Sequence, residues 1–153
     1  SFTDMSFEAW FTFEGGGIWQ RVFDFGRTQG GQGRDYVFYS PNSGGGDNRA
    51  AIRNDDQPEN VAAAVPTVAQ NTLHHVVVTI DDDANGGTNQ MSLYLNGELG
   101  DDVALSYSLS QLSNTFAYLG RSTWSADICG LAIPRLAQRS FQSAHRRKKS
   151  WRT

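Results

Sequence analysis

The sequence predicts an all-β antiparallel sandwich, on three observations. Apolar and polar residues alternate in a series of short runs, turns rich in glycine and asparagine separate the runs, and none sustains a dependable helical period. The length of 153 residues fits one domain, since domains cluster at roughly 100–150 residues and sandwiches often run longer. Nine Phe, five Tyr and four Trp suit a pleated, half-buried surface.

The first strand is expected over Met5–Phe13, with Met5, Phe7, Ala9, Phe11 and Phe13 on one face and Trp10 assigned to the core. Glu14-Gly-Gly-Gly17 ends it. Ile18–Phe25 follows as a second strand, closed by Gly26, and Thr28 to Gly33 reads as a loop before a third strand at Asp35–Tyr39. Pro41 to Gly46 is a turn, and Arg49–Arg53 a short fourth strand. Val61–Val65 suits helix or strand; Pro66 and the neighbouring strands favour strand. Leu73–Ile80 is a buried strand dense in β-branched residues. Asp81 to Gly87 is a polar turn before an alternating strand at Met91–Leu95. Asn96-Gly97 signals a two-residue hairpin, because both central positions of a type I′ turn need φ > 0. Glu98–Leu105 returns along that hairpin, and Phe116–Gly120 is the last strand.

Charge is unevenly spread. Residues 1–127 carry six arginines, no lysine and all sixteen acids, a net −10, whereas residues 128–153 carry five arginines, two lysines and no acid, a net +7. Two segments follow: a sandwich over 1–127 and an atypical basic tail over 128–153. Three changes coincide after Asp127: acids vanish, the only lysines appear, and strand alternation stops. A shift of reading frame in the coding DNA accounts for all three. The tail is accordingly expected to be irregular or helical beyond about residue 135 and poorly packed on the sandwich. Its Arg146-Arg-Lys-Lys149 run has the look of a nucleic-acid patch, but the acidic domain before it and the lack of a recognition fold argue against nucleic acid as a partner. Membrane insertion is not expected, because no apolar run approaches the roughly 20 residues that span a bilayer. Cys129 stands alone, which excludes an internal disulfide or a cysteine-based zinc site. Ser1-Phe2-Thr3-Asp4 has no signal-peptide pattern and reads as the middle of a longer chain.

Five stretches together resemble the laminin-G-like jelly rolls of the concanavalin A-like superfamily. They are Ser6-Phe-Glu-Ala-Trp10, Gln20-Arg-Val-Phe-Asp-Phe-Gly26, His74-His-Val-Val-Val-Thr-Ile80, Leu93-Tyr-Leu-Asn-Gly-Glu98 and Tyr118-Leu-Gly-Arg-Ser-Thr-Trp-Ser-Ala-Asp127. Their order and spacing follow the family's course from about Ser1 to Asp127. The resemblance implies a two-sheet antiparallel jelly-roll sandwich that binds carbohydrate or protein partners outside the cell, often as one module of a larger protein. It also implies that a first strand is missing before Ser1 and that the usual acidic final strand is replaced by the basic tail. Some relatives hold a structural Ca²⁺ near their loops. The same broad fold hosts glycoside hydrolases, so fold alone does not fix function.

Catalysis is not expected. Glycoside hydrolysis needs two carboxylates flanking the sugar, and hydrolases of this fold tend to carry them on one strand as Glu-x-Asp-x-x-Glu; no such triplet occurs. Of the adjacent His74 and His75, one is packed inside and the other solvated, since neighbours on a strand face opposite ways. Asp81, Asp83, Asn85 and Gly86 occupy positions 1, 3, 5 and 6 of a calcium loop, but position 12 is Ser92 and no flanking helices are evident. Ca²⁺ held by Asp81, Asp83 and Asn85 and a plain acidic turn both remain open. Asp24 lies between Phe23 and Phe25 and must find a partner inside, with Arg21, Arg49 and Arg121 available. Sugar binding combines aromatic platforms with planar polar groups, and Trp19, Arg21, Tyr36, Tyr39, Asn48, Arg49, Arg121 and Trp124 are the pieces at hand. The expected function is a non-catalytic binding or adhesion module for a glycan or a protein partner, secreted or at the cell surface. Two other readings are an accessory or degenerate domain of a glycoside hydrolase and a structural spacer without ligand.

Overall fold

The computed structural model describes residues 3–55, 57–64 and 66–127. The expectations for the basic tail therefore lie outside the described residues. The strands run in the order β1 (Asp4–Thr12), β2 (Phe23–Gln29), β3 (Gln32–Ser40), β4 (Asn48–Arg53), β5 (Asn60–Ala64) and β6 (Leu73–Asp81). After a single helical turn, α1 (Ala84–Gly87), come β7 (Gln90–Leu95), β8 (Glu98–Ala104) and β9 (Phe116–Leu119).

Two antiparallel sheets face each other, one with the order β1-β6-β7-β8 and the other β5-β4-β3-β2-β9. Alternation decides what lies between them. From one sheet come Phe7, Ala9, Phe11, Val76, Val78, Ile80, Met91 and Leu93; from the other Phe23, Val37, Tyr39, Ala50, Ile52 and Ala62, all buried. Phe23 stacks on Phe7 and Phe25 at ring separations of 5.4 and 5.5 Å and meets Tyr39 at 6.3 Å. Tyr107 closes one end of this layer, its hydroxyl donating to the Ile52 carbonyl at 2.6 Å.

Asn96 and Gly97 both take positive φ, 54° and 88°, so the expected I′ turn joins β7 to β8. A second such turn sits at Gly30 and Gly31, with φ of 60° and 77°, where a loop was expected over Thr28 to Gly33. Two adjacent glycines let β2 and β3 extend almost to the turn, as one hairpin. Val61–Val65 resolves in favour of strand as far as Ala64, paired along β4.

Two further expectations are corrected. The strand expected at Ile18 begins only at Phe23, because Trp19 takes a left-handed backbone at φ 66° and breaks the extended run. Trp10 is not in the core: it shares the outward parity of Ser6 and Glu8, is 46% exposed, and stacks on His75 at 4.2 Å. His74 is the buried histidine of the pair and His75 the outer one, where it bonds Glu8 at 2.8 Å.

Candidate functional site

The outward face of the five-stranded sheet carries an aromatic floor. Tyr36 and Phe38 on β3 and Ala51 on β4 are buried there, with Val61, Trp19 and Trp124 packed against them. Residues 19–22 lead into β2 beside the end of β3, with the Trp19 amide on the Asn42 carbonyl and the Val22 amide on the Tyr39 carbonyl, and the Arg21 side chain projects onto this floor. The Arg21 side chain is 3% exposed, its guanidinium 3.7 Å above the Phe38 ring and 5.5 and 5.4 Å from the rings of Trp19 and Trp124. Cation–π attraction strengthens when the pair is desolvated, as here.

A buried guanidinium needs partners. Arg21 Nη1 donates to the Trp19 carbonyl at 3.0 Å, Nη2 lies 3.2 Å from Asp127, and Nε lies 3.5 Å from Asp24. Burial lowers the pKa of Arg21 from its ordinary value, and the charges of Asp24 and Asp127 oppose that shift. Asp24 is fully enclosed; the Thr123 amide donates to it at 2.8 Å and the Thr123 hydroxyl at 3.0 Å. Its pKa is pushed up to about 6, first by desolvation, with the Thr123 hydrogen bonds and Arg21 pulling the other way. Asp24 thus anchors the segment that carries Trp124.

Trp124 meets Tyr36 and Phe38 edge-on at 4.7 and 6.0 Å. Its ring lies over Gly33, where an added Cβ would fall 2.5 Å from two ring carbons and 2.9 Å from Thr123 Oγ1. Gly33→Ala is expected to displace the indole and reduce the near-ultraviolet circular dichroism of the tryptophans; an unchanged spectrum contradicts this packing. Trp19 stands opposite. Its left-handed backbone is held by its amide on the Asn42 carbonyl at 2.9 Å and by Arg21 on its own carbonyl. Such strain in a bulky residue persists only where its surroundings enforce it, and it clusters at ligand clamps. The Arg49 guanidinium lies 5.3 Å from the Trp19 ring and 3.3 Å from Asp47.

Between these walls is a cleft of about 230 Å³ lined by Trp19, Arg21, Phe38, Glu59, Trp124 and Asp127. Glu59 is exposed at its edge and accepts the Tyr36 hydroxyl at 2.6 Å. Larger cavities of about 370 and 510 Å³ lie elsewhere in the sandwich, but neither has a tryptophan or an arginine in its wall.

The structure therefore brings together Trp19, Arg21, Tyr36, Arg49 and Trp124 from the residues expected in a ligand site. Three others fall elsewhere. Tyr39 and Asn48 face the sandwich interior, 0% and 1% exposed; the Tyr39 hydroxyl bonds Asn48 Oδ1, and Asn48 Nδ2 donates to the carbonyls of Ala64 and Pro66. Strand parity is the reason: Tyr36 and Arg49 face outward, so Tyr39, three residues on, and Asn48, one residue before, face inward. Arg121 is exposed over the Tyr118 ring at 4.7 Å, outside the cleft lining. Phe38, Glu59 and Asp127 were not expected at the site. Parity with Tyr36 marks Phe38, whereas nothing in the local sequence marks Glu59 or Asp127.

Asp81 and Asp83 do approach one another, and the third acid is Asp4, across the β1–β6 register from Asp81. One carboxylate oxygen from each lies within 4.8 Å of the others, and all three side chains are exposed. The side chain of Asn85 lies outside the described residues. The Asp83 amide donates to Asp81 Oδ1 at 3.0 Å, and α1 follows, so the local geometry is that of an acidic turn entering a helical turn.

Fold and cleft define a jelly-roll β-sandwich with an aromatic-walled groove on the outer face of its five-stranded sheet. The chain belongs to the concanavalin A-like lectin/glucanases superfamily, whose laminin-G-type family profile matches residues 1–133. Among solved structures it is similar to the CBM40 module of the Ruminococcus gnavus IT-sialidase bound to α2,3-sialyllactose, with TM-score 0.63 and 15% identity over 81% of this chain and 66% of that one. Two further structures, of that module and of its complex with α2,6-sialyllactose, give TM-scores of 0.62 and 0.56 at 16% identity. They cover 80% and 81% of this chain, and 66% and 68% of theirs. The chain thus spans about two thirds of the module it resembles. No curated protein sequence matches it.

Proposed function

We propose that this protein is a carbohydrate-binding module whose binding surface is the Trp19–Trp124 cleft, and that it performs no chemistry of its own. One observation carries the reading: two tryptophans stand on either side of a buried arginine, with carboxylates at the same opening. Indole faces stack on the aliphatic C–H faces of a pyranose, while carboxylate groups at the opening accept hydrogen bonds from its hydroxyls. The strained Trp19 backbone fits a platform set before the ligand arrives, which lowers the ordering entropy lost on binding.

Absence of catalysis is supported by the placement of the acids. Asp24, whose pKa is pushed up to about 6, is sealed under Arg21 and Thr123, and Asp82, whose pKa burial also raises, accepts the Leu109 amide away from the cleft lining. The sialidase modules with this fold favour a place beside a glycoside hydrolase, as an accessory domain of a larger extracellular protein. Secretion and an adhesive role are extensions of the same reading.

A glycan array, run with and without Ca²⁺, tests the proposal. Selective binding is expected, with Trp19→Ala weakening the best ligand by about tenfold or more, in line with roughly 1–3 kcal/mol for one stacked aromatic anchor. Silence under both conditions, or full affinity in Trp19→Ala, overturns it.

A further inference from the structure

We infer that the cleft selects neutral sugars over sialylated or otherwise acidic ones; the inference rests on the carbohydrate-binding reading above. It departs from the fold neighbours, which are bound to sialyllactose.

The charge arrangement carries it. Of the residues lining the cleft, Arg21 is cationic, and Glu59 and Asp127 are anionic. Arg21 is already engaged: two carboxylates, Asp24 and Asp127, lie within 3.5 Å of its nitrogens, and the Trp19 carbonyl takes a third direction. An incoming carboxylate would have to displace Asp127 or share Arg21 with two acids. At the rim, Arg49 is balanced by Asp47 at 3.3 Å. Arg53 approaches the Tyr36 hydroxyl, which itself bonds Glu59. Around the cleft, the three guanidiniums of Arg21, Arg49 and Arg53 thus meet the four carboxylates of Asp24, Asp127, Asp47 and Glu59.

Such a surface suits hydroxyl groups. Asp127 Oδ2 holds Arg21 and accepts from Ser122 at 2.7 Å, and Glu59 Oε1 takes the Tyr36 hydroxyl, which among the described residues leaves Asp127 Oδ1 and Glu59 Oε2 as acceptors for sugar hydroxyls. A sialic acid carboxylate in the same cleft meets two like charges a few ångströms away. Like-charge juxtaposition at a partly desolvated contact works as a specificity filter.

Calorimetric titration of the whole chain with matched pairs of sugars tests this, beginning with lactose and α2,3-sialyllactose and extending to neutral oligosaccharides and their sialylated forms. The neutral member of each pair is expected to bind about tenfold tighter or more. Glu59→Gln, which keeps an acceptor for Tyr36 but removes the charge, is expected to narrow that ratio severalfold, because the acidic member loses a repulsion while the neutral member loses a charged acceptor. Equal or tighter binding of the sialylated member overturns the inference and leaves carbohydrate binding intact, as does a ratio unmoved in Glu59→Gln. Failure of every sugar to bind overturns both.

Discussion

Arg21→Met is expected to lower the stability of the domain by about 3–5 kcal/mol, because it leaves Asp24 and its partly buried companion Asp127 without their cation. An isolated buried carboxylate is worse than either a complete pair or an apolar substitute. The double variant Arg21→Met with Asp24→Asn should therefore recover part of the loss, a coupling that a urea-denaturation cycle reads directly. Purely additive losses would show that the two groups do not act as a pair. Binding should fail in both variants, since the Trp124 segment hangs on Asp24 through Thr123, and the Trp19 carbonyl loses the Arg21 hydrogen bond.

The same group sets a pH dependence. Asp24 has a native pKa of about 6 against an ordinary 3.8, raised chiefly by burial. Between those values the folded chain holds a proton that the unfolded chain has released. The contribution of Asp24 to stability is thus fully present below about pH 4 and is lost as pH rises through 6. Asp24→Asn cannot titrate, so the stability of the wild type relative to this variant should fall between pH 4 and pH 7. A difference that is flat, or that rises with pH, contradicts the assignment.

Phe23→Ala is the second large effect. Phe23 is 2% exposed and touches Phe7, Phe25 and Tyr39 where the two sheets meet, so truncation opens a cavity that neither sheet can fill without moving. The expected loss is about 3–5 kcal/mol, a large part of the roughly 5–15 kcal/mol of a typical domain. A midpoint shift in urea corresponding to less than about 1 kcal/mol would mean that the aromatic stack does not join the sheets.

The sandwich was legible because period-two alternation fixes which side chains enter the core, as Phe7, Ala9 and Phe11 show, and because Asn96-Gly97 has one favoured backbone. Parity was also enough to separate Tyr36 from Tyr39 and to turn Trp10 outward. Residue type misled there: an aromatic pair three apart looks like one platform, and a tryptophan looks like core. The cleft was only half legible. Trp19, Arg21 and Trp124 lie more than a hundred residues apart at the extremes and meet because residues 19–22 run beside the end of β3 from one left-handed residue that no alternation signals, while Thr123 is tied to Asp24. Glu59 directly precedes β5 and is placed by the β4–β5 register that begins at Asn60, not by any motif.

The most direct test is nuclear magnetic resonance of the tryptophan indole N–H groups during titration with the best neutral oligosaccharide from the array. Trp19 and Trp124 should shift together along one saturating curve, while Trp10, on the outer face of the other sheet, stays still. Movement of Trp10 alone, or a saturating ligand that leaves both Trp19 and Trp124 unmoved, would place binding somewhere other than this cleft.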